Sequence, residues 1–289
     1  MCSKEEDMRK FLSYILPIAL LCAAISSCSS IQRVINTDDP DLIFSQGKLY
    51  YEGGKWDKAI LLFEHCEPFL KGFPQEDSVA YYKAHSYFKS YDYLTSATLF
   101  DEFRRTYGRS VFIENAEALY AISLYEMCPG PERDQSTTAA AIIAISEFMS
   151  HHPESQQIQY FIEMTKELTW RMEERSFLNA YTYYKILRYD SAIIAFKNAL
   201  KKYPDSHRRE DIMYYIAMSA YKFADNSVAS KQSDRFMSML DSYYSFIMEY
   251  PESKHRAELD KAAEVAKRYI EKNKADDTTT AAATDKKSE

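Results

Sequence analysis

The stretch Tyr183 to Pro204, YYKILRYDSAIIAFKNALKKYP, decides the fold. It reads as the end of one helix, a short turn, a second helix and a proline stop. Tyr183 lies near the end of the first helix and Tyr189 near the start of the second. Ala192, Phe196 and Ala199 follow at steps of three, four and three, which places them on one helical face. Pro204 cannot continue the helix and closes the unit. The small residue at Ala192 lets two backbones come close, and aromatic residues fill the space on either side.

The pattern recurs outward in both directions. Asp38-Asp39-Pro40-Asp41 ends a polar tether; one of its aspartates is expected to cap a first helix, with Pro40 at the first position. Gly47 and Tyr50 then take the small and aromatic places, Gly53-Gly54 turn the chain, and Trp56, Ala59 and Phe63 repeat the Tyr189, Ala192, Phe196 set. A second pair carries Ala84 and Tyr87, then Tyr93, Ser96 and Phe100, with Gly108 at its stop. In the third pair Tyr125 keeps the aromatic place, Ile122 stands where a small residue is expected, and Ala141, Ile145 and Phe148 carry the second helix. Residues 155 to 187 read as one continuous or slightly broken helix with Trp170 and Phe177 facing the core and Ala180 and Tyr183 at the repeat positions. Asp205-Ser206 is expected to cap a fifth pair, in which Tyr214-Tyr215-Ile216-Ala217 echoes Tyr81-Tyr82-Lys83-Ala84.

The stops Gly108, Pro153, Pro204 and Pro251 lie 45, 51 and 47 residues apart. These steps exceed the tetratricopeptide unit of roughly 34 residues, so the helices are extended. The expected fold is all-α: a tetratricopeptide-like α-solenoid of about five helix pairs over residues 39–272, closed by a charged capping helix from Lys254 to Lys272. Residues 273–289 are polar and lack aromatics, and are expected to be disordered.

Composition agrees. The chain has 289 residues, 46% hydrophobic, with 24 Tyr and 16 Phe but only 6 Gly. Few glycines argue against an all-β fold and against Gly-rich phosphate loops. A net charge of −7 gives no bulk attraction to nucleic acid or to an anionic lipid surface.

The N-terminus reads as an address. In residues 8 to 28, MRKFLSYILPIALLCAAISSC, Arg9 and Lys10 are a basic start and Phe11 to Ile25 an apolar run of signal-peptide length. Ile25-Ser26-Ser27-Cys28 resembles a bacterial lipobox. That resemblance implies cleavage between Ser27 and Cys28, a signal peptide over residues 1–27, acyl chains on Cys28 and a lipidated tether over residues 28–38. Ser29 after the cysteine implies passage to the outer membrane, and the lack of acidic residues there favours the periplasmic face. An ordinary secretory signal or a retained anchor helix is the alternative. The acidic MCSKEED ahead of Met8 makes Met8 the expected initiator.

Signs of catalysis are absent. No GxGxxG, P-loop, GxSxG or HExxH occurs, and no Cys/His set has zinc spacing. The expectation is a non-enzyme without metal or cofactor. His151-His152 reads as a helix end, and Glu173-Glu174 and Asp101-Glu102 as solvated faces. Arg104-Arg105 and Arg208-Arg209 read as surface salt bridges or contacts for acidic partners. Cys66 and Cys128 are either buried apolar groups or a pair. Some tyrosines are expected to line a concave face suited to peptides.

A lipobox followed by about five such pairs resembles the BamD (YfiO-type) lipoproteins of the outer-membrane β-barrel assembly machinery. The segments carrying the resemblance are Tyr81 to Tyr107, with YYKAHSYF and FDEFRRTYG, and Tyr183 to Ser206, with RYDSAIIAFKNALKKYPDS. It implies a non-enzymatic scaffold that docks the POTRA domains of a BamA-like barrel through its C-terminal repeats. It also implies that unfolded outer-membrane protein precursors are received at the N-terminal repeats. Two other readings differ in length or content. A SusD-type glycan-binding lipoprotein is much longer, and a peptidoglycan-linked enzyme needs a second domain.

Overall fold

The computed structural model describes residues 31–285, with side chains as far as residue 273. Among these residues every regular element is helical. Helices α1 (Pro40–Glu52) and α2 (Trp56–Cys66) form a first pair, α3 (Glu76–Lys89) and α4 (Tyr93–Thr106) a second, and α5 (Ile113–Glu126) and α6 (Ser136–His151) a third. Then come α7 (Ile158–Lys185), α8 (Tyr189–Lys202), α9 (Arg209–Asp225), α10 (Ala229–Glu249) and α11 (Arg256–Asp285). The chain divides into two compact units, residues 1–128 with 137–161 and residues 129–136 with 162–289. Within each, helices pack mainly on their neighbours in sequence, as in a tetratricopeptide-like α-solenoid.

Local chemistry fixes the helix ends. The Asp39 carboxylate accepts the amides of Asp41 and Leu42 at 3.1 and 3.2 Å, and Pro40 opens α1. Asp92 caps α4 in the same way. The turns within the first, second and fourth pairs share one geometry. Gly54, Tyr91 and Leu187 all have positive φ, at 67°, 65° and 63°. Their amides donate to Tyr51, Phe88 and Tyr184, and the next amides donate to Tyr50, Tyr87 and Tyr183. This is the left-handed cap that usually takes glycine.

The cores are apolar and aromatic. In the first unit Gly47 lies against Phe63: a Cβ there would stand 2.6 Å from the ring, and Phe63 is fully buried. Tyr81, Ala84, Phe100 and Phe103 continue that core. In the second unit Phe177, Ala180, Ala192 and Phe196 form the equivalent nest, joined by Ile212 and Ile216 of α9.

Four expectations are corrected. Residues 31–35, read as tether, form a helical turn whose Ile31 is buried with Val34 and Ile35 against the first core; these apolar residues sit at i, i+3 and i+4. The last helix runs to Asp285, past the Lys272 at which disorder was expected, because the Ala-containing tail can extend the backbone ladder. Trp170 is 45% exposed, not core. Ser206 does not cap α9; it closes the turn before it. The signal peptide, Ser27, Cys28 and Ser29 lie outside the described residues.

Candidate functional site

Three of the junctions that follow a pair share one device. Ser110, Ser206 and Ser253 each follow the stop of the preceding helix by two residues. Each hydroxyl accepts the amide two residues on, at 3.1, 3.2 and 3.0 Å. Each also donates to a carboxylate on the first helix of the previous pair: Ser110 to Asp77 at 2.7 Å, Ser206 to Glu173 at 3.0 Å and Ser253 to Glu210 at 2.6 Å. Four residues beyond each carboxylate stands a ring, Tyr81, Phe177 or Tyr214. The side chain two residues after each serine lies over that ring. Phe112 stacks on Tyr81 at 4.4 Å, the Arg208 guanidinium lies 4.8 Å from the centre of Phe177, and His255 stacks on Tyr214 at 4.0 Å.

The carboxylates around the two later junctions are tied up. Glu174, only 7% exposed, takes two bonds from Arg208 at 2.7 and 2.8 Å and one from His207. The Arg208 bonds, against the opposing effect of burial, hold its carboxyl below the usual range. Arg208 also reaches Asp211, which receives His255. In the third pair Glu117 takes bonds from both His151 and His152. Among the described residues no group of three His, Cys, Asp or Glu side chains is placed to hold a metal ion.

The first helices of the pairs present half-buried aromatic rows. In the first unit Tyr51 meets Tyr82 at 5.0 Å and Trp56 at 5.4 Å, and its hydroxyl bonds His85. Burial pushes the Tyr51 hydroxyl up to about 12 and the His85 imidazole down to about 4, so at neutral pH Tyr51 donates to an uncharged ring. In the second unit Tyr181 and Tyr184 each lie 5.0 Å from Tyr215, and Tyr184 meets Tyr189 at 5.6 Å. Lys48 and Lys185 lie over Tyr82 and Tyr181. Such rows offer ring faces and hydroxyls, a surface for recognition. A cleft of about 320 Å³ in the first unit is lined by Pro68, Lys83, Leu99 and Phe103, and there Lys83 pairs with Glu67.

Over residues 36–173 the chain matches the YfiO family of outer membrane lipoproteins. The match covers just under half of the sequence. It includes the Tyr81 to Tyr107 segment that carried the resemblance and ends before the Tyr183 to Ser206 segment. No curated protein matches the chain in sequence. Among solved structures it is similar to the TPR2AB domain of yeast Sti1 in its pHSP90 complex, at 13% identity and a TM-score of 0.36, with 79% of this chain and 98% of that one covered.

The expected repeat positions fall as follows. Gly47, Ala59, Phe63, Ala84, Ser96, Phe100, Ala180, Ala192 and Phe196 are buried. Tyr50, Trp56, Tyr87, Tyr93 and Tyr189 are half-buried, and Pro204 is an exposed turn residue. Tyr183 is 44% exposed and Tyr184 does the packing. Packing also reaches the residue four after each small residue: Tyr51 after Gly47, Phe88 after Ala84 and Tyr184 after Ala180; Tyr50, three after Gly47, packs on the first core as well. The same rule gives Ala121 and Tyr125 in the third pair. Ala121 is fully buried, so the small residue is present there, one position before Ile122. Glu174 is buried rather than on a solvated face, and Arg104 pairs with Asp101 and Glu147. Cys66 and Cys128 are unbridged. Sequence reasoning missed the serines, although Ser110, Ser155, Ser206 and Ser253 each stand two residues past a stop.

Proposed function

We propose that this chain is a lipid-anchored, non-enzymatic scaffold of the outer-membrane β-barrel assembly machinery. The observation that carries the reading is the match of residues 36–173 to an outer membrane lipoprotein family, on a chain whose paired helices present aromatic rows rather than catalytic groups. Residues 1–27 serve as export signal, Cys28 bears the acyl chains, and the repeats stand at the periplasmic face. The second unit docks the POTRA domains of a BamA-like barrel. The first unit receives unfolded barrel precursors, whose alternating apolar strands suit ring faces flanked by lysines.

Purification from its own membrane is expected to bring down a barrel subunit bearing POTRA domains, and depletion to lower several barrel proteins together. Recovery of a carbohydrate transporter alone would sink the reading. Replacing Cys28→Ala is expected to move the protein to the soluble periplasmic fraction; unchanged membrane fractionation would remove the anchor from the account.

A further inference from the structure

The three left-handed turns differ in what they carry. The first has Gly54, for which positive φ is free of strain. The third has Leu187, at φ 63°, a conformation that an L side chain disfavours. Leu187 gains no burial in return: it is 67% exposed, its neighbour Ile186 is 58% exposed, and Tyr183, one helical turn earlier, is 44% exposed. The two residues flanking the apolar pair, Lys185 and Arg188, are exposed cations; Asp190 is the one acid in residues 183–190. Tyr91, in the second turn, is exposed too, but its ring meets Tyr93 at 6.2 Å and its neighbour is Ser90.

We propose that the tip Lys185-Ile186-Leu187-Arg188 is a docking knob for a protein partner carrying an apolar pocket rimmed by carboxylates. The strained backbone fixes where Leu187 points. A shaped pocket rewards that fixed geometry, whereas a fluid bilayer accepts an apolar side chain in any orientation. The flanking cations supply charge complementarity and a salt-dependent encounter rate. The inference rests on the reading of the second unit as the POTRA-docking side, and it assigns that docking to one turn.

The test uses the full mature chain carrying Cys28→Ala, with the purified POTRA domains of the barrel subunit from the same cell as probe. Leu187→Gly is expected to weaken binding about tenfold while raising Tm by about 1 °C, since relief of the backbone strain slightly exceeds the freedom that glycine adds to the unfolded chain. Lys185→Glu with Arg188→Glu is expected to weaken binding and flatten its salt dependence, with Tm unchanged. Tyr91→Gly is expected to raise Tm and leave binding alone. Equal binding by wild type and Leu187→Gly overturns the knob and leaves the scaffold reading standing. No binding by wild type overturns both. A lower Tm for Leu187→Gly means that Leu187 packs internally and overturns the proposal. So does Leu187-dependent flotation with vesicles of phosphatidylglycerol and phosphatidylethanolamine, which assigns the tip to the membrane.

Discussion

In the first unit Phe112 lies flat on Tyr81, while in the second the flat groups over Phe177 and Tyr214 are the Arg208 guanidinium and the His255 imidazole. The serine, the carboxylate and the ring sit in the same places at all three junctions. What changes is whether the covering group is apolar or charged. Geometry at a repeat junction is thus set by shape, a planar group over a ring, and the energetics are set separately by the neighbours. Around Arg208 those neighbours are Glu174 and Asp211; around Phe112 they are Tyr81, Tyr82 and the rest of the aromatic core.

The largest expected effect breaks that comparison at its charged member. Arg208→Ala leaves Glu174 buried without its two guanidinium bonds and is expected to destabilise the second unit by about 3 kcal/mol, the low end for a broken buried pair because Arg208 is itself a third exposed. Phe112→Ala removes only ring contact and is expected to destabilise the first unit by about 2 kcal/mol, since Phe112 is half-buried. Urea unfolding at low salt and in 1 M salt separates them. The arginine effect shrinks as charges are screened, and the phenylalanine effect does not. Equal salt dependence would mean that the charged cover acts by shape alone.

Acid sharpens the contrast. His85 has its folded pKa below its ordinary value, so the unfolded chain takes up the proton first. The stability due to neutral His85 is complete above about pH 6.5 and is lost as pH falls toward about 4. Glu174, held below the usual carboxylate range, contributes stability that persists down to about 4.5 and is lost only below it. Hydrogen-exchange protection of α3 is therefore expected to fall between pH 7 and 5, and His85→Phe is expected to abolish that fall. A profile unchanged by the substitution would remove His85 as its source.

Much of this was readable before any coordinates, and the failures share a cause. Gly47, Ala84 and Ala180 announce themselves as small residues between rings, and Asp39-Pro40 and the prolines mark helix ends by chemistry local to them. The ring that packs could not be chosen locally, because Tyr50-Tyr51 and Tyr183-Tyr184 offer two candidates each. Contact with the following helix selects Tyr184 over Tyr183, whereas Tyr50 and Tyr51 both pack on the first core. Glu174 looked solvated because its partner Arg208 is 34 residues away. The junction serines were missed because their acid partners lie 33 or more residues upstream, although their repeated place after each stop was a usable signal.

The smallest expected effect concerns the turns rather than the junctions. Tyr91 occupies in the first unit the left-handed position that Gly54 occupies one pair earlier and Leu187 one unit later. Its ring is 78% exposed, so little packing offsets the backbone strain. Tyr91→Gly removes the clash of Cβ with the following carbonyl but also frees the unfolded chain, which glycine penalises. The strain term, about 1 to 2 kcal/mol, exceeds the entropy term of about 0.5 to 1 kcal/mol, so a net gain of roughly 0.5 kcal/mol is expected in chemical denaturation. A loss instead would show that the Tyr91–Tyr93 contact outweighs the strain, and that the second turn is held by its rings as firmly as the first is by its glycine.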